Sequence, residues 1–247
     1  MDAKELLIEI CCGSAEDAME AEKGSADRVE LNSCLFHGGL TPTVGTLKTV
    51  KRHTHIPVMA MARPRQGGFC YTDVEYETLL ADAALLLENG ADGLVFGFLR
   101  EDGSLDYARC KEVLALCGGK PAVFHRAIDV VPDWKRTLGD LIELGFTRVL
   151  TSGQAPNVLY GIDTLRAMMD FAGGAIEILP GGGVNQWTLK RLLAETGATQ
   201  VHFGHTVNRY DHSTEHNPAI AFGSSLSPEE NRYSVTDAAY IQQMRNI

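Results

Sequence analysis

Hydrophobic and polar positions follow two alternating periods along the chain. In 28–32 the apolar Val29 and Leu31 are interleaved with Arg28, Glu30 and Asn32, which is the period of a strand. In 73–88 the residues Leu79, Ala83, Leu86 and Leu87 recur at helical spacing. Strands are predicted over 6–11, 28–32, 57–63, 93–98, 122–127, 148–153, 177–181 and 200–204. Helices are predicted over 15–23, 44–52, 73–88, 107–116, 134–144, 159–171, 186–195 and 236–244. The elements alternate, and roughly 31 residues per pair is the size of a βα repeat. A glycine recurs where helix turns to strand, at Gly24, Gly90, Gly145 and Gly197. There it serves as a left-handed helix C-cap. The pattern predicts one α/β domain, a (β/α)8 TIM barrel of parallel strands, with a doubly wound open sheet as the alternative. Residues 206–234 lack any period and read as a long rim loop after strand eight. It is either a lid or a surface excursion covering a helix or a dimer contact.

Composition narrows the partners. The chain has 247 residues, 45% of them hydrophobic, enough for a full core. With 22 Lys+Arg against 32 Asp+Glu, the net charge of −10 argues against nucleic acid and anionic membrane. The first residues carry acidic side chains and no long apolar run, so no secretory signal is expected. Six cysteines without disulfide-like spacing suit a reducing cytoplasm.

In such a barrel the chemistry gathers at the C-terminal strand ends. Strand parity turns Arg28, Glu30 and Asn32 inward, and Glu9 and Cys11 with them. Cys12 then faces away from Cys11. Glu9, Arg28 and Glu30 form either a buried ion-pair network or part of a site. Arg63 and Arg65 flank Pro64 at the end of strand three and suit a carboxylate or phosphate, or else a salt bridge to Glu30 or Asp129. His125, beside Arg126 and near Asp129, has the makings of an acid–base group, although buried histidines are also common. Thr151 and Ser152 supply neutral donors. Gly181, Gly182 and Gly183 precede a helix that Asn185 is placed to cap, and His202 and Gly204 end strand eight. Together these form the phosphate position of such barrels, unless the glycines merely permit close packing.

Several runs in order carry a resemblance to a known family. They are Glu9-Ile-Cys-Cys, Ala26-Asp-Arg-Val-Glu-Leu31, Gly38-Gly-Leu-Thr-Pro42, Arg63-Pro-Arg, Gly67-Gly-Phe-Cys-Tyr71, His125-Arg-Ala127 with Asp129, and Leu150-Thr-Ser-Gly153. Over about residues 5–204 the chain resembles the CutC family of copper homeostasis proteins. The resemblance implies a cytoplasmic TIM-type barrel, a homodimer, and copper as the ion concerned. It also implies a copper pair of Cys11 and a cysteine at the position held here by Asn32. Asparagine is a poor ligand for Cu(I). Cys34, two residues on, takes its place only if the loop bends back.

Two functions follow. One is a copper carrier using Cys11, with Cys34, Cys70 or a histidine. The other is a barrel enzyme for a small anionic or phosphorylated metabolite. In the enzyme, Arg63, Arg65 and the glycine triplet hold the anion, His125 moves a proton, Glu30 is the base and Asp129 orients. Schiff-base aldol chemistry is disfavoured, because no lysine lies at a strand end.

Overall fold

A computed structural model describes residues 6–223 and 229–247. Eight parallel strands alternate with helices: β1 (Leu7–Cys12), α1 (Ala15–Lys23), β2 (Arg28–Leu31), α2 (Val44–His53), β3 (Val58–Met61), α3 (Asp73–Glu88), β4 (Gly93–Phe96) and α4 (Tyr107–Cys117). The order continues through β5 (Ala122–Phe124), α5 (Trp134–Leu144), β6 (Arg148–Thr151), α6 (Ile162–Ala172), β7 (Glu177–Pro180), α7 (Leu189–Thr196) and β8 (Gln200–Phe203). The sheet runs β7-β6-β5-β4-β3-β2-β1-β8, so the last strand returns beside the first and excludes the open doubly wound alternative.

Local chemistry sets several of these boundaries. Thr72 and Glu75 form a capping box that starts α3 where the period begins. Gly145 ends α5 at φ +88°. Gly24 is different: it is right-handed, and Ser25 takes the positive φ instead. A Cβ at Gly24 would lie 2.9 Å from Ala238 O and from Ile241 Cβ, so this glycine makes room for the last helix.

The predicted rim loop is partly ordered as sheet. β9 (Thr206–Tyr210) and β10 (Arg232–Thr236) form an antiparallel pair, followed by α8 (Ala238–Arg245). Its exposed strands bury little, so the sequence shows no clear alternation there. Asp17 ties the pair to the barrel, accepting from Gly13 N (2.9 Å) and Thr236 N (2.7 Å). Residues 224–228 of that segment lie outside the described residues, as do residues 1–5, which bear on the leader expectation. Among the described residues no helix is long and apolar enough to cross a membrane.

The lumen has two halves. Met59, Met61, Val95, Val123, Leu150 and Leu179 pack as one apolar cluster from β3 to β7. Towards β8, β1 and β2 the filling is polar, and parity holds as predicted. Glu9 pairs with Arg28 Nε and with His202 Nδ1, the latter at 2.8 Å. Arg28 Nη2 donates to Gln200 Oε1 at 2.7 Å. Cys12 points outward into the strand–helix core. Glu30 does not join this network; it lies nearer the mouth.

The closure between β7 and β8 is sparse. One parallel bridge, Gly181 to His202, joins them. Glu177 N and Gly181 N donate towards β6, so the N–H of 178 and 180 would face β8. Residue 180 is proline and has no N–H to give. A side chain supplies a substitute: Gln200 Nε2 donates to Ile178 O at 3.3 Å.

Gln200→Leu removes that stitch and leaves Arg28 Nη2 and Ile178 O without their partner. We expect a loss of about 2–3 kcal/mol in urea unfolding. A loss below about 0.5 kcal/mol, the range of an ordinary surface substitution, would show that the seam is held by other means.

Candidate functional site

The strand ends open into a cavity of about 820 Å³. Its lining includes Cys11, Glu30, Arg63, His125, Arg126 and His202, with Gly182 and Gly183 on the rim. These residues are up to 191 positions apart, counting from Cys11 to His202; barrel closure brings them together. Asp129 and Gly204 also reach the wall. Glu9, Asn32, Thr151 and Ser152 lie buried and are not part of the lining, and Gly181 bridges β7 to β8.

One side of the cavity is a donor-atom cluster. Cys11, Glu30 and His202 each bring a ligand atom within 4.8 Å of the others. Glu30 Oε1 accepts from Asn32 Nδ2 at 2.8 Å, and Cys11 Sγ lies 3.9 Å from it. Glu30 Oε2 is buried without a partner. Burial raises the Glu30 pKa, and the Glu9 charge adds to the rise, while His202 opposes it. Burial also pushes the Cys11 thiol well up, with Glu30 contributing. Burial opposes the charged form of Glu9 most strongly. The hydrogen bond and charge of His202, with Arg28, nevertheless bring its pKa down to about 2. His202 is raised despite its burial, by Glu30 and Glu9. Glu9 holds His202 Nδ1, so Nε2 is the ring nitrogen left for a ligand.

His125 has a different character from the acid–base group expected. Its Nδ1 accepts from Ala127 N at 3.3 Å, which puts the proton on Nε2. Burial, with the Arg63 charge, depresses its pKa to about 3. It is therefore a neutral donor near pH 7, not a base. Gly97 makes space for the ring: a Cβ there would lie 2.7 Å from His125 Cε1 and Nδ1. Phe69 packs against its other side at 4.6 Å between centroids.

Asp129 does not orient His125. Its carboxylate accepts from Arg126 Nε (2.8 Å), Thr151 Oγ1, Ser152 N and Oγ, and Gln154 N. The 3-10 turn Arg126–Val130 that follows β5 turns it towards the β6 end. Among the described residues Arg63 pairs with no carboxylate: it donates to the carbonyls of His37, Gly38, Gly39 and Gly67, which folds two rim loops around it. Arg65 is withdrawn from the site expected for it. It pairs with Glu75 and donates to Gln66, Gly68 and Cys70 carbonyls. Cys34 is exposed at φ +48° before the 3-10 turn Leu35–His37, and its loop does not bend back to Cys11. Cys70 is also exposed.

Residues not anticipated in the lining include Leu35, Phe69 and Phe203. The Glu9–His202 pair was legible in principle, because closing β8 on β1 makes these two residues register partners.

Eight parallel strands with a polar mouth at their C-terminal ends define a TIM-barrel protein. The chain belongs to the CutC family, whose model matches residues 6–207. A Treponema denticola protein named as CutC family is 53% identical over 94% of each chain. A human protein named copper homeostasis protein cutC homolog is 42% identical over 99% of this chain and 90% of its own. A solved structure of the putative copper homeostasis protein CutC from Streptococcus agalactiae is 35% identical. It superposes with a TM-score of 0.76 over 80% of this chain and 97% of its own. A solved aldolase, QR15, at 15% identity and TM-score 0.61 over 82% of this chain and 91% of its own, shares the fold alone.

The neutral His125 has a measurable cost in acid. Below its ordinary value of 6.5 the unfolded chain takes up a proton that the native ring refuses until about pH 3. Native stability therefore falls on acidification through this window, by up to about 1.4 kcal/mol per pH unit from this residue. His125→Gln lacks that component. Wild-type stability should drop more steeply than the variant's between pH 6.5 and 4.5 in urea titrations; parallel slopes would mean that His125 protonates in the native state.

Proposed function

We propose that the barrel mouth binds one copper ion through Cys11 Sγ, the Glu30 carboxylate and His202 Nε2. The observation that carries this reading is the convergence of one ligand atom from each of Cys11, Glu30 and His202 within 4.8 Å at the wall of one cavity. A thiolate and an imidazole are ligands that copper accepts, and the thiolate favours Cu(I). The partnerless Glu30 Oε2 is a third donor. Glu9 behind His202 is the carboxylate support found behind metal-bound histidines. Asn32 acts here as a donor to Glu30 and, at 3.6 Å, to Cys11 Sγ, so His202 replaces the second cysteine implied by the resemblance. Copper in this reading is cargo, in keeping with relatives named as copper homeostasis proteins.

Cu(I) competition with a thiol chelator under anaerobic conditions tests the assignment. Cys11→Ser and His202→Gln should each weaken binding at least tenfold, and Cys34→Ser should leave it unchanged. The Cys11 thiol must lose its proton to bind, so affinity should rise with pH. An unchanged affinity in Cys11→Ser would remove this reading.

A cytoplasmic setting and a homodimer accompany it as proposals. The six cysteines are all free thiols, which suits a reducing compartment. Light scattering should give twice the chain mass of 26.9 kDa; the monomer mass would refute the dimer.

A further inference from the structure

We propose that the wall of the mouth built from the β5, β6 and β7 ends binds the phosphoryl group of a small phosphate monoester. This inference does not depend on the copper reading. A cavity of about 820 Å³ is far larger than one ion requires and lies in the size range of small-molecule sites.

The principal arm is Arg126. Its Nε is held by Asp129 and its Nη2 by Ser152 Oγ, both at 2.8 Å, leaving Nη1 for a ligand. Asp129 is fixed in turn by Thr151, Ser152 and Gln154, so the direction of the guanidinium is set by a network rooted in β6. That guanidinium lies against the main chain of Gly182: a Cβ there would be 3.2 Å from Arg126 Cζ and Nη1.

Gly182 (φ +100°) and Gly183 (φ +82°) follow directly. Their carbonyls are engaged, by Val158 N and by Thr188 Oγ1; the Gly182 N–H faces β8 at the Gly181–His202 bridge, whereas the Gly183 N–H reaches no acceptor among the described residues. Asn185 Oδ1 caps the turn that follows, accepting from Trp187 N and Thr188 N, before α7 begins at Leu189. The Gly183 N–H beside a guanidinium, ahead of a helix, makes a positive corner in a chain whose net charge is −10.

A separate observation shows that the cavity lacks an acceptor. His125, a residue of this lining, is 4% exposed, and its Nε2–H is buried with no partner among the described residues. Arg63 Nε, on a side chain of the same cavity, is also buried without one. Buried donors are rarely left unsatisfied, so an oxygen-bearing ligand is the natural acceptor. A carboxylate offers two oxygens to this corner, fewer than the three of a phosphoryl group. A phosphoryl group has three terminal oxygens and can take donors from Arg126 Nη1 and from Gly183 N–H. The body of the ester then extends towards His125, whose Nε2–H donates to one of its oxygens.

Calorimetric titration of the metal-free full chain with inorganic phosphate, and separately with acetate, tests the proposal. Saturable phosphate binding is expected, at least tenfold tighter than acetate and at least tenfold weaker in Arg126→Ala. Cys11→Ser should bind phosphate as the wild type does, which separates this outcome from any failure of copper binding. If Arg126→Ala does not fold, Arg126→Gln, which retains a donor for Asp129, takes its place. Absence of saturable phosphate binding, equal binding of acetate, or undiminished binding in the folded Arg126 variant would each overturn the assignment.

Discussion

The polar half of the barrel depends on one buried carboxylate. Glu9 is 1% exposed and shares its two oxygens between Arg28 and His202. An unpaired charge at that depth would be prohibitive, and the two partners make it tolerable. The same contact fixes which nitrogen of His202 remains available. Packing and site chemistry therefore meet in a single residue on β1. The strands pairing with β1 bring both partners, one from each side.

From this pair outward, the lumen divides the labour of the mouth. The apolar cluster from β3 to β7 needs no electrostatic compensation and forms a dry floor. Above it, Cys11, Glu30 and His202 supply acceptors and ligand atoms, while Arg63, Arg126 and the His125 Nε2–H supply donors. Such a cavity presents opposite chemical characters to one bound molecule. A carrier of a bare ion has use for the first set; the second set is the one on which the proposed phosphoryl site rests.

The fold was legible because its signals are local. The capping box at Thr72 and the caps around 134–144 mark helix ends in the sequence itself. Strand parity placed Glu9, Glu30 and Cys12 on their correct sides, since a one-residue error would have turned apolar residues into the polar lumen. The roles within the mouth were less accessible. Proximity in sequence suggested that Asp129 serves His125, but the 3-10 turn between them sends the carboxylate to β6. Arg65 follows Arg63 by two positions, yet Pro64 and the loop direct it to Glu75. Cys34 itself takes a left-handed backbone conformation and is exposed. The exposed β9–β10 pair escaped because a strand with neither face buried has no period to display.

Pro180 has a mechanical consequence. To part β7 from β8 breaks one bridge and the hydrogen bonds of one side chain, Gln200, whereas any other seam carries a ladder of two to four registered pairs. The cylinder is therefore most compliant along one line. That line runs directly under Gly181, Gly182 and Gly183, so the glycine wall can shift while the remaining staves keep their register.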